Sequence, residues 1–280
     1  MSKVAIVTDS NSGITQKRGE ELGIYVLPMP FFIGGELYLE DITLSQEQFY
    51  EKLGADSEIS TSQPSPGDVM DLWDKLLEDY DEIVCIPMSS GLSSTCETAL
   101  SLAQDYDEKV QVVNNQRISV TQEQSVYDAI KLRDEGKSAE EICQALDSIK
   151  HRLAVYGMVD TLKYLHKGGR LSASAAAVGT MLKLKPIVGI KDGAVVSVSK
   201  ARGYKSAFRH LVHLLEREPA DPQFGFAFAH ANAPDSVPDL ISAISAHCNI
   251  EPYIVCDVGP VIGTHTGPGC VGFAYIKAKE

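Results

Sequence analysis

Three short hydroxyl-rich stretches carry the residues of this chain whose types and spacing could do chemistry. The first, PMSSGLSSTCE at residues 87–97, sets four serines and a threonine around Gly91 directly after an apolar run. Serine and threonine are good N-caps for the helix suggested by the following CETALSLA, but capping needs only one hydroxyl. The surplus hydroxyls of Ser93, Ser94 and Thr95, the free N–H groups around Gly91 and the positive end of a helix together suit a carboxylate or a phosphate. The second stretch, TSQPSPG at residues 61–67, has two prolines that fix its backbone and exclude a helix within it. It reads as the turn before a helix at Asp68, with hydroxyls that can face the same rim. The third, GTHTGPG at residues 263–269, places His265 among glycines and threonines in a turn. There it could donate to an anion or orient a serine that does. His210 and His213 share a helix instead and read as surface residues.

A nucleophilic role for Ser93 is the alternative chemistry, a serine-dependent acyl hydrolase using Ser93 with His265. GLSST lacks the second glycine of G-x-S-x-G, and no acid and histidine follow at a spacing that names a triad. GPGCVG at residues 267–272 matches G-x-G-x-x-G letter for letter, yet the chain ends within a few residues, with no room for the helix and acidic partner a dinucleotide site needs. Its glycines read as a close turn into a last strand. Two basic islands, KYLHKGGR at 163–170 and KARGYK at 200–205, are either solvated turns or a docking patch for a nucleotide-bearing or acidic partner.

The elements that must position these groups change character halfway along. KVAIVT from Lys3, EIVCI from Glu82 and KVQVV from Lys109 are short β-rich runs followed by polar turns and helix-like segments, the pattern of a parallel sheet with crossover helices. Residues 24–33 read as a further strand interrupted by prolines, and 68–80 and 140–153 as helices. Ligands of such sheets sit beyond the carboxyl ends of the strands, where Asp9 to Ser12, Met88 to Gly91 and Asn114-Asn115 fall. Residues 185–198 form two alternating runs joined by Asp192-Gly193, a strong hairpin signal and hence antiparallel pairing. A helix from Tyr204, a strand from Phe224, a helix after Pro238 and strands near Tyr253 and Val271 follow. The expectation is an α/β chain, with an N-terminal parallel-sheet domain over 1–153 and an α+β domain over 154–280, divided near Leu153 at the end of a helix.

The bulk numbers narrow the function classes. With 280 residues, 44% hydrophobic and 22% charged, the chain is an ordinary globular protein. A formal charge of -13 disfavours nucleic acid as a partner, so any bound anion must be held by local donors. Cys85, Cys96, Cys143, Cys248, Cys256 and Cys270 are scattered without a C-x-x-C, which reads as reduced thiols and no zinc site. The opening MSKVAIVTDS reads as a strand rather than a signal sequence, and no apolar run reaches the ~18 residues of a spanning helix. The expectation is a cytoplasmic protein making at most transient membrane contact.

Taken in order, VTDS at 7–10, TSQPS at 61–65, SSGLSS at 89–94, KGGRL at 167–171 with the Ser/Ala-rich segment after it, KPI at 185–187 and GTHTGPG make the chain resemble the DegV family. Characterised members of that family are the fatty-acid-binding subunits (FakB) of bacterial fatty acid kinase. The resemblance covers essentially the whole chain and implies a carrier without catalytic activity or cofactor of its own. It implies a long-chain fatty acid in an apolar tunnel, its carboxylate gripped by Thr61, by Ser93 with Ser94 beside it, and by His265. It further implies that Arg170, and with less support Arg202, lie on the surface that meets the kinase, a separate protein that supplies ATP and metal and makes the acyl-phosphate.

Overall fold

The computed structural model of the chain describes residues 2–54, 58–172, 184–247 and 252–278. Cys248 and the Ser/Ala-rich segment after Ser172 lie outside them. The chain is a mixed α/β protein of two compact units, residues 1–46 with 58–151, and residues 47–57 with 152–280. Residues 47–57, expected within the first half, therefore count with the second.

The first unit contains strands β1 (Val4–Asp9), β2 (Tyr25–Leu27), β3 (Pro30–Ile33), β4 (Glu36–Leu39), β5 (Ile59–Thr61), β6 (Glu82–Ile86) and β7 (Val110–Val112). Its helices are α1 (Gln16–Leu22), α3 (Pro66–Leu77), α4 (Thr95–Ala103), α5 (Val120–Asp134) and α6 (Ala139–Ser148), while α2 (Gln46–Gly54) falls almost wholly in the second unit. Strands β2-β1-β6-β7 form an all-parallel sheet in that order. Because side chains alternate across a strand, Val4, Ile6, Val84 and Ile86 meet Val126, Ala129, Ile142 and Leu146 of α5 and α6 on one face. Ala5, Val7, Ile83 and Cys85 meet Val69, Trp73, Leu76, Cys96 and Ala99 of α3 and α4 on the other. Both faces are covered, which is why these strands read as continuous apolar runs.

Three expectations need correction here. Residues 24–33 are not one interrupted strand: β2 belongs to the parallel sheet and β3 to a separate antiparallel sheet, β4-β3-β5. Pro28 and Pro30, which have no N–H to give a ladder, mark the change. Helix α3 begins at Pro66, inside the stretch expected to exclude a helix, with Ser65 Oγ accepting from Asp68 N at 3.1 Å. A proline in the first helical turn loses no hydrogen bond. Helix α6 opens on a capping box of Ser138 and Glu141 and ends at Ser148, so Leu153 starts a strand instead of ending a helix.

The second unit contains β8 (Leu153–Met158), α7 (Lys163–Lys167), β9 (Leu184–Lys191), β10 (Ala194–Arg202), α8 (Tyr204–Arg217), β11 (Phe226–Ala231), α9 (Val237–Ser245), β12 (Pro252–Asp257), α10 (Pro260–Thr266) and β13 (Cys270–Ile276). Its six-stranded sheet runs β10-β9-β8-β13-β11-β12, antiparallel except for the β11–β12 pair. Asp192 and Gly193 join β9 to β10 with φ of 50° and 79°, the left-handed pair that matches hairpin twist. Phe226, Phe228, Phe273 and Tyr275 pack with Leu211 and Leu215 of α8 and Leu240 of α9 into one core. Among the described residues no helix is long and apolar enough to cross a membrane.

Candidate functional site

In the first unit the chain leaves β1 towards β2 on one side and towards β6 on the other, so the crevice of the sheet lies beyond the carboxyl ends of β1 and β6. Asp9 ends β1 and is 1% exposed. Its carboxylate accepts from Met88 N at 2.8 Å, Asn11 N at 3.0 Å, Asn11 Nδ2 at 3.0 Å and Gln122 Nε2 at 3.1 Å. Burial pushes its carboxyl above the usual range, and these hydrogen bonds pull the other way. Asp9 thus ties β1 to the segment after β6 and to α5.

The serine stretch is a turn held from several sides. Ser89 N donates to Arg117 O at 2.8 Å, and Ser89 O accepts from Leu92 N at 3.0 Å and Ser93 N at 3.2 Å. Asn114 Nδ2 donates to Ser90 Oγ at 2.9 Å, and Leu92 is buried beneath. Ser93 Oγ and Thr95 Oγ1 are 2.8 Å apart, and Ser93 Oγ accepts from Thr95 N at 3.3 Å. Ser94 stands at the N-cap of α4 but makes no side-chain cap bond, leaving Ser93 to turn inward over the first turn while Ser94 is exposed. Thr61 ends β5, half-buried, paired with Phe31. Its loop is tied to α4 by Thr98 Oγ1 donating to Gln63 Oε1 at 3.2 Å. The Thr61 loop is therefore bonded to α4, the helix that the Ser93 stretch leads into.

In the second unit His265 lies on α10, not in a turn, and this changes the part its neighbours play. Thr264 Oγ1 donates to Pro260 O at 2.9 Å and Thr266 Oγ1 to Ile262 O at 3.2 Å, so both flanking hydroxyls are spent on their own helix. Shape limits where the ring can sit: a Cβ at Gly168 would collide with Nδ1 of the His265 ring and lie 2.7 Å from Cε1. Gly267, with φ of 73°, ends α10 where a Cβ would lie 2.6 Å from Cε2 of Tyr164. Burial lowers the His265 imidazole to about 4, and the Arg170 charge adds to the effect. At neutral pH the ring is an uncharged hydrogen-bonding group. Arg170 is half-buried, donates Nη1 to Gly168 O at 2.7 Å and is itself lowered by burial. Arg202 is exposed at the end of β10.

Several residues that hold these groups escape a sequence reading. Gln122 and Ser125 face inward from α5, a helix whose buried side mixes polar and apolar residues and so lacks apolar periodicity. Arg117 offers one signal, being the single basic residue between Lys109 and Lys131.

The DegV family model matches residues 3–278. A DegV domain-containing protein of Halalkalibacterium halodurans is 35% identical over 284 residues, covering 100% of both chains. A DegV family protein from Thermus thermophilus whose structure is described as showing fatty acid binding is 30% identical, with a TM-score of 0.89 over 99% of this chain and 100% of that one. A fatty-acid-binding DegV family protein from Streptococcus agalactiae is 28% identical, with a TM-score of 0.89 over 100% of both.

Proposed function

This chain belongs to the DegV family, and from that premise we propose that it binds a long-chain fatty acid in an apolar tunnel and presents the carboxylate to a separate fatty acid kinase for ATP-dependent phosphorylation to an acyl-phosphate. The observation that carries this reading is full-length likeness, at a TM-score of 0.89, to two proteins described as fatty-acid-binding. The proposed carboxylate donors are Thr61, Ser93 and Ser94 of the first unit and His265 of the second. Arg202, and Arg170 on the KGGR turn, are proposed for kinase docking.

The chemistry of the donor set supports a carrier. Hydroxyls and a neutral imidazole can orient a carboxylate by hydrogen bonding without pairing a full charge to it, so its oxygens stay nucleophilic towards a phosphoryl group. At ~0.8 kcal/mol per buried methylene, an acyl tail of about 14 methylenes gains roughly 11 kcal/mol gross, enough for the tail to dominate affinity while the polar groups set its aim. The test is to extract the purified protein with organic solvent and identify bound lipid by mass spectrometry. A free fatty acid near one per chain is expected. A chain that carries none and takes up none when offered overturns the reading.

A further inference from the structure

Arg117 of the first unit has a task that fatty acid binding does not explain. Its side chain is 2% exposed. One nitrogen is satisfied, with Nη1 donating to Thr121 O at 3.3 Å and Ser125 Oγ at 3.0 Å. The other two, Nε and Nη2, are buried and have no hydrogen-bond partner among the described residues. No ion pair joins Arg117 to a carboxylate there either, and Asp128 acts on it only through space. Burial lowers the guanidinium to about 10, so it stays protonated at neutral pH.

Nε and Nη2 are the side-on edge of the guanidinium, whose two parallel N–H bonds match two oxygens of one oxyanion. Water there would satisfy the N–H groups but leave a buried charge without a counter-charge, which is the costlier deficit. Asn115, 1% exposed, shares Ser125 Oγ with Arg117 through Nδ2 at 2.8 Å, and its Oδ1 is unpartnered. The two ends of an amide are interchangeable in placement, so Asn115 can offer an N–H in place of that oxygen. Gln122 cannot be turned in this way, because its Nε2 already donates to Thr8 Oγ1, Asp9 Oδ1 and Ile86 O. Gln116 and Ser119 flank Arg117 with positive φ of 62° and 54°, uncommon for non-glycine residues.

We propose that the first unit holds a small oxyanion, of the carboxylate, bicarbonate or phosphate type, on the Nε and Nη2 edge of Arg117. The site stands apart from the fatty acid reading, since the Arg117 side chain shares no hydrogen bond with Ser93 or Thr61 among the described residues. It touches the serine turn through the backbone, because Arg117 O holds Ser89 N.

The test uses the full chain, delipidated and exchanged into chloride buffer, with lipid content measured separately by mass spectrometry so that the two readings fail independently. Inorganic phosphate at constant ionic strength is expected to raise the unfolding midpoint by roughly 5 °C or more at saturation. R117K, which keeps the charge but not the fork, and R117Q should lose that rise. Crystals of the native chain grown with selenate should show an anomalous peak within hydrogen-bond distance of Nε and Nη2, and ion chromatography of the denatured native protein detects an anion trapped during purification. Selenate or a trapped anion at the fork supports the proposal even if both variants fail to fold. Water alone on the fork in selenate, with no released anion and no Arg117-dependent rise, overturns it.

Discussion

The serine turn of the first unit and the histidine helix of the second carry the groups proposed for one carboxylate, yet they are positioned by different physics. The turn after β6 is held by long-range hydrogen bonds: Met88 N donates to the Asp9 carboxylate, Ser89 N to Arg117 O, and Asn114 Nδ2 to Ser90 Oγ. The His265 ring is packed closely against Gly168, and Tyr164 against Gly267, so neither glycine leaves room for a side chain, while the neighbouring hydroxyls turn back onto their own helix. The first region should be sensitive to loss of a polar partner and the second to addition of a methyl group.

The largest effect expected from this contrast is at Asp9. Asp9→Ala removes a buried acceptor of four hydrogen bonds and leaves Met88 N, Asn11 N and Gln122 Nε2 short of one. The cost should be roughly 3–5 kcal/mol of stability by urea unfolding, with fatty acid retention falling because the serine turn is no longer tied to β1. A loss below about 1 kcal/mol would show that the turn does not depend on that strut.

A pH effect of similar size belongs to the histidine region. The folded His265 sits at about 4 against an ordinary 6.5, so the unfolded chain binds the extra proton first. This stability is fully present above pH 6.5 and is lost as pH falls through about 4. The gap, 6.5 minus 4 or 2.5 units, at about 1.36 kcal/mol per unit is worth up to about 3 kcal/mol. Unfolding free energies at pH 7.5 and pH 4.5 should therefore converge in His265→Asn relative to the native chain, and the difference between the two proteins cancels other titrating groups such as Asp9 and Glu123. Equal pH dependence in both would mean that the ring is hydrated and not buried as described.

Legibility in the sequence follows the same division. The parallel strands could be read because both faces of the sheet are covered, making Val4 to Val7 and Ile83 to Ile86 unbroken apolar runs, and the β9–β10 hairpin because Asp192-Gly193 announces itself. Helix α5 could be read only as a helix-like segment after KVQVV, without its inward side, since its buried Gln122 and Ser125 answer to Asp9 and Asn115 rather than to an apolar core. Residue types also pointed to Thr61, Ser93 and His265, but not to what fixes them. Asp9 and Gln122 are 113 residues apart, and Gly168 matters only because α10 presents His265 to it. Helix α10 itself was read as a turn because Gly263, Gly267 and Gly269 are glycines. Gly263 serves close packing instead, a Cβ there lying 2.7 Å from the Tyr50 hydroxyl and 3.0 Å from Phe49 Cε1.

Next in size come three substitutions that the contrast separates. Gly168→Ala should cost about 1–3 kcal/mol through displacement of the His265 ring, visible as a shifted imidazole resonance, while the first unit is unaffected. Ser93→Ala or Thr61→Ala should leave stability nearly unchanged but weaken fatty acid retention by about 1–3 kcal/mol, the usual cost of a hydrogen bond to a charged group. Unchanged binding and kinase turnover in both serine and threonine variants would remove these residues from the site. A serine-reactive phosphonate is expected to leave Ser93 unlabelled, because its hydroxyl is engaged with Thr95 and not with a base. Labelling would instead favour the hydrolase alternative.

The smallest effect is the sharpest test of the difference between the two regions. Thr266 sits next to His265 and, from its residue type, looks as able as Ser93 to hold an anion. Its hydroxyl donates at 3.2 Å to Ile262 O, a carbonyl of its own helix, and such a bond adds little because that oxygen can also serve the helix ladder. Thr266→Val keeps the branched shape and removes only the hydroxyl, so stability and fatty acid retention should each change by less than about 0.5 kcal/mol. If retention instead fell as far as in Ser93→Ala, the Thr266 hydroxyl would have to leave Ile262 and reach the ligand. The histidine region would then be working as the serine turn does, by its hydroxyls, and the division between positioning by bonds and positioning by shape would fail at the residue where it is most exposed.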